Sequence, residues 1–197
     1  MKLSEIKREQ IIKAATREFL KQGFQNCSMD TIAQNAEVSK RTVYNHFNSK
    51  EELFLSILEH LSADDHPVFD QDFSSDQSIE DQLLEIARIE IDILQSKDVQ
   101  QYARILLGEL MRSDEMVQLF ESKRPSCHEG FIVWLDKSIA EGQLSVTNNE
   151  LASEQFFGLL KTHAFWPTLF NKQVLDSESK EQAASSTVTL FMNTYKT

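Results

Sequence analysis

Ser28-Met-Asp-Thr-Ile-Ala-Gln-Asn-Ala36, then Glu37-Val-Ser39, then Lys40-Arg-Thr-Val-Tyr-Asn-His-Phe47 read as a short helix, a turn and a second short helix. Ser28 and Ser39 stand where N-caps belong, since a serine hydroxyl can accept a bond from one of the backbone N–H groups a helix start leaves unpaired. Ile32, Ala33 and Ala36 fall on one face of the first segment. At about 100° per residue, Val43 and Phe47 share the inward face of the second, Arg41 and Asn45 point away, and Thr42 and Tyr44 flank them. Val38 is expected to plug the angle between the two. Segments this short do not hold as isolated helices, so flanking elements must bury their apolar faces.

Those elements are legible on both sides. Ile11, Ile12, Ala14, Ala15 and Phe19 recur at helical spacing, predicting a helix from Ser4 to Gln22 that Gly23 ends as a C′ residue. Ser49-Lys-Glu-Glu52 reads as a capping box opening a fourth helix with Leu53, Phe54, Ile57, Leu58 and Leu61. Ser62 to Ser78, rich in Asp and Ser and containing Pro67, reads as a boundary loop. Beyond it come a long helix with Ile79, Leu83, Ile86, Ile89, Ile93 and Leu94, then helices over Val99–Met111 and Ser113–Glu121, and one carrying Phe131, Trp134, Leu135 and Ile139 to Gly142. Asn149–Phe170 and Ser177–Tyr195 are the last two, both long. The domain division this predicts is residues 1–48 and 49–197, with 49–61 as connecting helix.

Composition points the same way. With 5 Gly and 3 Pro in 197 residues and no alternating apolar run, a sheet protein is excluded and an all-α fold is expected. No apolar stretch approaches the roughly 20 residues of a membrane span, and the charged opening has no signal-like apolar core, which predicts a cytoplasmic protein without membrane partners. Cys27 and Cys127 have neither disulfide-framework nor zinc-ligand spacing, and Asp64-Asp65-His66 reads as loop solvation, so neither metal nor cofactor is expected. Phosphate loops, Gly-x-Ser-x-Gly and His-Glu-x-x-His are absent from the sequence, and the reading is non-enzymatic.

Charge is divided unevenly. Residues 1–50 hold nine basic and five acidic side chains, a net +4, while the remainder holds 11 against 26, a net −15, together the −11 of the whole chain. A small basic head precedes an acidic body. An outer helix face of Arg41, Thr42, Tyr44 and Asn45, with Lys40 beside free N–H groups, can hydrogen-bond, stack and neutralise phosphate, which is what a helix entering a DNA major groove requires.

Ile11-Ile-Lys-Ala-Ala15, Phe19, Gly23-Phe24, Ser28-Met-Asp-Thr-Ile-Ala33, Ala36-Glu-Val-Ser-Lys40, Thr42-Val-Tyr-Asn-His-Phe47 and Ser49-Lys-Glu-Glu-Leu53 together resemble the DNA-binding domain of TetR-family transcriptional regulators. The region from Gly108-Glu-Leu-Met111 to Phe170 faintly resembles the AefR-like subgroup. The resemblance implies a homodimeric repressor: the tri-helical head binds double-stranded operator DNA, and the helical body binds a small-molecule effector and dimerises through its last two long helices. By the same resemblance Ser28, Thr31, Thr42, His46 and Lys50 hold phosphates, with Ser39 and Lys40 at the same helix start, and Arg41, Tyr44 and Asn45 reach bases. In the body, Phe131, Trp134, Phe157, His163 and Trp166 are candidate effector-pocket residues and Phe156, Leu160, Val188 and Phe191 candidate seam residues. For any single one of these aromatics, filling core or dimer seam is the favoured reading. Gly158 would let a neighbouring helix come close.

Two residues depart from the family pattern. Glu37 stands where the family often has Gly, and a left-handed backbone there would cost about 1 kcal/mol. Arg41 replaces a common small residue on the outer face. The alternative reading is a helical protein-interaction module on the same scaffold, which would need neither the outward Lys40-Arg41-Tyr44 face nor a basic head.

Overall fold

Caps and apolar periodicity produce helices almost everywhere they are predicted. The computed structural model describes residues 3–63, 73–122, 129–171 and 173–197, so Asp64-Asp65-His66 and Cys127 lie outside the described residues. The elements are α1 (Leu3–Asn26), α2 (Met29–Asn35), α3 (Lys40–His46), α4 (Lys50–Ala63), α5 (Ile79–Gln95), α6 (Lys97–Leu110), α7 (Asp114–Ser122), α8 (Glu129–Ala140), α9 (Asn149–Leu160), a π-helical turn (Lys161–Phe165), α10 (Trp166–Asn171) and α11 (Ser177–Tyr195). Among the described residues the extended structure is one isolated bridge, Leu144 to Lys196. Gly23 does leave helical geometry, at φ 79° and ψ 167°, but helical hydrogen bonding resumes and carries α1 to Asn26. The segment expected to be one helix over Asn149–Phe170 is instead interrupted by the π turn, where Lys161 to Phe165 open the backbone pitch before α10 resumes.

The helices sort into two compact units. In the first, α1–α4 pack with α7 and with α6 from Gln101 onward around Ile11, Ile12, Phe19, Phe24, Ile32, Val43, Phe47 and Phe54. Phe54 is the hub. Its ring lies 5.1 Å from Phe19, 4.9 Å from Phe24 and 4.7 Å from Tyr102, centroid to centroid, and the Tyr102 hydroxyl donates to the Phe54 carbonyl. Such tilted and edge-on ring pairs each add stabilisation beyond their buried area.

In the second unit α5 and α11 run antiparallel, pinned at the surface by Arg88–Glu181 (2.7 Å), Lys180–Asp92 (2.5 Å) and Lys196–Glu80 (2.9 Å). Beneath them Phe131 stacks on Trp134 (5.5 Å) and on Phe156 (5.1 Å) and meets Phe157 edge-on (5.1 Å), while Phe156 meets Phe191 (5.3 Å). Phe156, Leu160, Val188 and Phe191 are all buried in this core. Each of the last two helices thus has an inward face, and these four residues, the candidates for the seam, lie on it.

One group in this core is ionisable and poorly solvated. Glu90 on α5 is buried without a hydrogen bond or ion pair among the described residues, and burial pushes its carboxyl from 4.5 up to about 7, with the Lys161 ammonium pulling the other way. A raised folded-state value means the native chain keeps a proton the unfolded chain has released. Stability is then fully present below about 4.5, falls as pH rises, and is lowest above about 7. Glu90→Gln should thus have little effect at about pH 4.5 and stabilise above pH 7 by an amount on the order of 3 kcal/mol. Thermal melts of both proteins across that range check it, and parallel curves would show that Glu90 does not titrate in this window.

Candidate nucleic-acid interface

The interface is built on two seven-residue helices that share one capping pattern. Ser28 Oγ accepts from the Thr31 backbone N–H (3.1 Å) and bonds the Thr31 hydroxyl (2.9 Å); Ser39 Oγ accepts from the Thr42 N–H (3.1 Å) and bonds the Thr42 hydroxyl (2.7 Å). Each serine replaces a bond the helix start cannot make for itself. Between the helices Glu37 has φ 54°, the one non-glycine residue with positive φ among those described, so the turn is left-handed as the departure from glycine implied. Val38 follows it, half-buried and packed against the core.

The inside-outside division of α3 matches the helical reading. Val43 and Phe47 are buried; Arg41, Tyr44 and Asn45 are exposed; Thr42 and His46 are half-buried. Neither Arg41 nor Asn45 has a hydrogen-bond or ion-pair partner among the described residues. The two lysines are placed otherwise. Lys40 Nζ sits 2.7 Å from Asp30 Oδ1 and 3.0 Å from Oδ2, and 6.0 Å from the centre of the Tyr44 ring. That pairing raises the Lys40 pKa, chiefly through the hydrogen bond to Asp30.

Lys50, expected to reach a phosphate, turns inward. Its ammonium donates to the carbonyls of Phe24 (2.9 Å) and Cys27 (3.0 Å) and lies 4.3 Å from the Phe24 ring centre. It adds a donor to the Phe24 carbonyl, which also accepts from the Cys27 N–H (3.3 Å), caps the Cys27 carbonyl just past α1, and ties that end to the start of α4. The start of α4 is closed by Ser49 Oγ, which accepts from the Glu52 N–H (3.0 Å), while Glu52 reaches back to the Asn48 N–H (3.0 Å) and side-chain amide (2.9 Å). Cys27, beside this junction, is buried, and burial followed by the charge of Glu18 raises its thiol pKa.

The residues proposed for an effector pocket do not come together as a set. Phe131, Trp134 and Phe157 are buried core, whereas His163 and Trp166 are exposed on the π turn and the start of α10. Trp166 stacks at 5.9 Å on the exposed Phe170. Periodicity cannot separate these cases, because the aromatics on α8 and α9 and those on the π turn and α10 obey the same spacing. Asp30 is the interface residue that sequence reasoning missed. It lies ten positions before Lys40 and on a different helix, and no local spacing rule pairs them.

An exposed recognition face on a capped helix-turn-helix, joined to a helical body, defines a class of regulatory proteins. The comparisons give the family. The profile of bacterial regulatory proteins of the tetR family matches residues 11–57, and that of the AefR-like transcriptional repressor C-terminal domain matches residues 81–197. The chain belongs to the TetR family of transcriptional regulators. A TetR-family regulator from Pseudomonas syringae pv. tomato is 34% identical with a TM-score of 0.73, each chain covered to 96%. One from Mesorhizobium loti shares the fold at a TM-score of 0.81 and 24% identity, over 100% of both chains. Among curated proteins, the transcriptional repressor NicS of Pseudomonas putida is 43% identical over 56 residues, 28% of this chain and 26% of that protein. The regulator SrpR, also of Pseudomonas putida, is 33% identical over 100 residues, 51% of this chain and 45% of that protein. The matched region thus spans about a quarter to a half of the length of these two relatives.

The placement of Lys50 has a measurable consequence. Lys50→Met should lower the stability of the head by about 1.5–3 kcal/mol, the range for hydrogen bonds to a charged group. Denaturant unfolding measures this, and an unchanged midpoint would return Lys50 to the pool of side chains free to meet phosphate.

Proposed function

We propose that the protein is a homodimeric repressor that reads a pseudo-palindromic operator with α3 and leaves it when a small molecule binds the body. The observation that carries the reading is the exposed Arg41, Tyr44 and Asn45 face opposite buried Val43 and Phe47. The guanidinium can donate, and the phenol and the amide can donate and accept, at base edges; Arg and Asn can each bond a base bidentately. The cap hydroxyls of Ser28, Thr31, Ser39 and Thr42, with His46 at the other end of α3, supply polar groups suited to the flanking phosphates.

The dimer seam in this reading is the outward side of α9 and α11. Leu151 and Leu190 are 46% and 54% exposed, and Gly158 is exposed with open space where a side chain would stand. Along the second half of α11 the exposed positions are Ser185, Ser186, Thr189, Leu190, Asn193 and Thr194, all uncharged in a chain that is 26% charged. Small uncharged side chains allow two helices to approach without desolvating ions. For the effector, the supporting feature is the polar stretch inside the second unit where α5 meets the π turn and α10. Glu90 is buried there, and the side-chain oxygens of Gln95 and Gln100 are buried without partners among the described residues. Buried acceptors of this kind favour a ligand that brings donors. An effector acts only through its preference for the DNA-incompetent arrangement of the two heads.

Recovery of genomic fragments by the purified protein tests the reading, with enrichment of sequences sharing an inverted repeat as the expected result and no enrichment as the result against it. Arg41→Ala and Tyr44→Ala should each weaken the recovered site by ~1–3 kcal/mol while leaving the fold intact. Unchanged affinity of both variants at one salt concentration would take α3 out of base readout. Leu190→Glu should give a folded monomer in sedimentation, whereas Phe191→Glu places a charge in the protomer's own core and should unfold it. A folded dimer of Leu190→Glu would place the seam elsewhere.

A further inference from the structure

We propose that Asp30 is an internal competitor for Lys40, occupying the ammonium that would otherwise meet the DNA backbone and so holding down the head's attraction for duplex of any sequence. This rests on the DNA-binding reading above. The two side chains project from different helices, Asp30 from the first turn of α2 and Lys40 from the first position of α3. They meet through both carboxylate oxygens, at 2.7 and 3.0 Å, with side chains 58% exposed for Lys40 and 63% for Asp30.

An ion pair this exposed contributes little to folding. Its effect falls on the charge that α3 presents. The helix carries two cationic side chains, Lys40 and Arg41; the first is matched by Asp30, and Lys50 on the neighbouring helix is spent on two carbonyls. Arg41 is left as the unmatched cation of the outer face. A phosphate that takes Lys40 must displace Asp30 and then lie beside a free carboxylate, so the gain from one counterion-releasing contact is offset by like-charge repulsion. Base contacts from Arg41, Tyr44 and Asn45 are not subject to that competition, because none of them bonds Asp30. The paired ammonium also lies 6.0 Å from the centre of the Tyr44 ring, on the flank of α3.

The test measures binding of a random-sequence duplex over a series of salt concentrations by the wild-type dimer, Asp30→Asn, Lys40→Ala and the double variant. Asp30→Asn should bind several-fold more tightly at low salt, with a logarithmic salt slope steeper by about 0.9 per head. Lys40→Ala should bind more weakly than wild type, since it leaves the Asp30 carboxylate bare beside the duplex, and the double variant, with both charges removed, should return to about the wild-type affinity, so that the gain from Asp30→Asn is lost. Asp30→Ser provides a second removal of the carboxylate, and unchanged thermal melts check that the fold is intact. Equal or weaker binding by Asp30→Asn and Asp30→Ser overturns the proposal, as does a gain that survives intact in the double variant, which would reflect bulk charge alone. Duplex binding indifferent to Asp30 defeats this proposal only. Absence of duplex binding by all the proteins defeats the DNA-binding reading and this proposal with it.

Discussion

Two helices of seven residues cannot persist in water by themselves, and the whole head is organised around making them persist. The centre of that support is Phe54, where rings from α1, α4 and α6 converge within 4.7–5.1 Å and the Tyr102 hydroxyl satisfies a carbonyl of α4. Ile32, Val43 and Phe47 bury the inner faces of α2 and α3 in the same cluster. The outer face is held in register because the inner one is pinned. A recognition surface on flexible helices would lose its hydrogen-bond geometry to side-chain and backbone entropy before meeting any partner.

The polar groups of the head divide between construction and contact. Ser28, Ser39, Ser49 and Lys50 close helix ends, using their bonds where the backbone would otherwise lack them. Arg41 and Asn45 use none among the described residues. Lys40 stands between the two roles, matched to Asp30 through an exposed pair that a stronger anion can challenge. The net +4 of the first 50 residues therefore overstates the free charge at the surface of α3, because charges counted along a chain take no account of the acceptors folding brings beside them.

The body divides on similar lines. Each of its last two long segments has an apolar inner side, with Phe156 and Leu160 on α9 and Val188 and Phe191 on α11, all buried in a common aromatic core. The opposite side of α11 is small and uncharged. Where the π turn widens the backbone between α9 and α10, Glu90 and the Gln95 oxygen of α5 and the Gln100 oxygen at the start of α6 are kept in the interior at an energetic cost. These groups make the stretch a polar part of a core built largely of aliphatic and aromatic side chains.

Nearly all of the head was determined by its sequence, because its signals are local. A serine cap acts on an N–H three residues away, inward and outward faces follow from 100° steps, and the left-handed Glu37 belongs to the turn itself. The tertiary structure alone decided the rest. That Lys50 turns to the end of α1, that Asp30 takes Lys40, and that α6 and α7 join the head are contacts between residues far apart in the chain. Periodicity likewise offered Phe191 as a seam residue, and only packing shows that it is 3% exposed while its neighbour Leu190 is 54% exposed. A helical repeat shows which residues share a face; which face meets the core depends on what the rest of the chain packs against it.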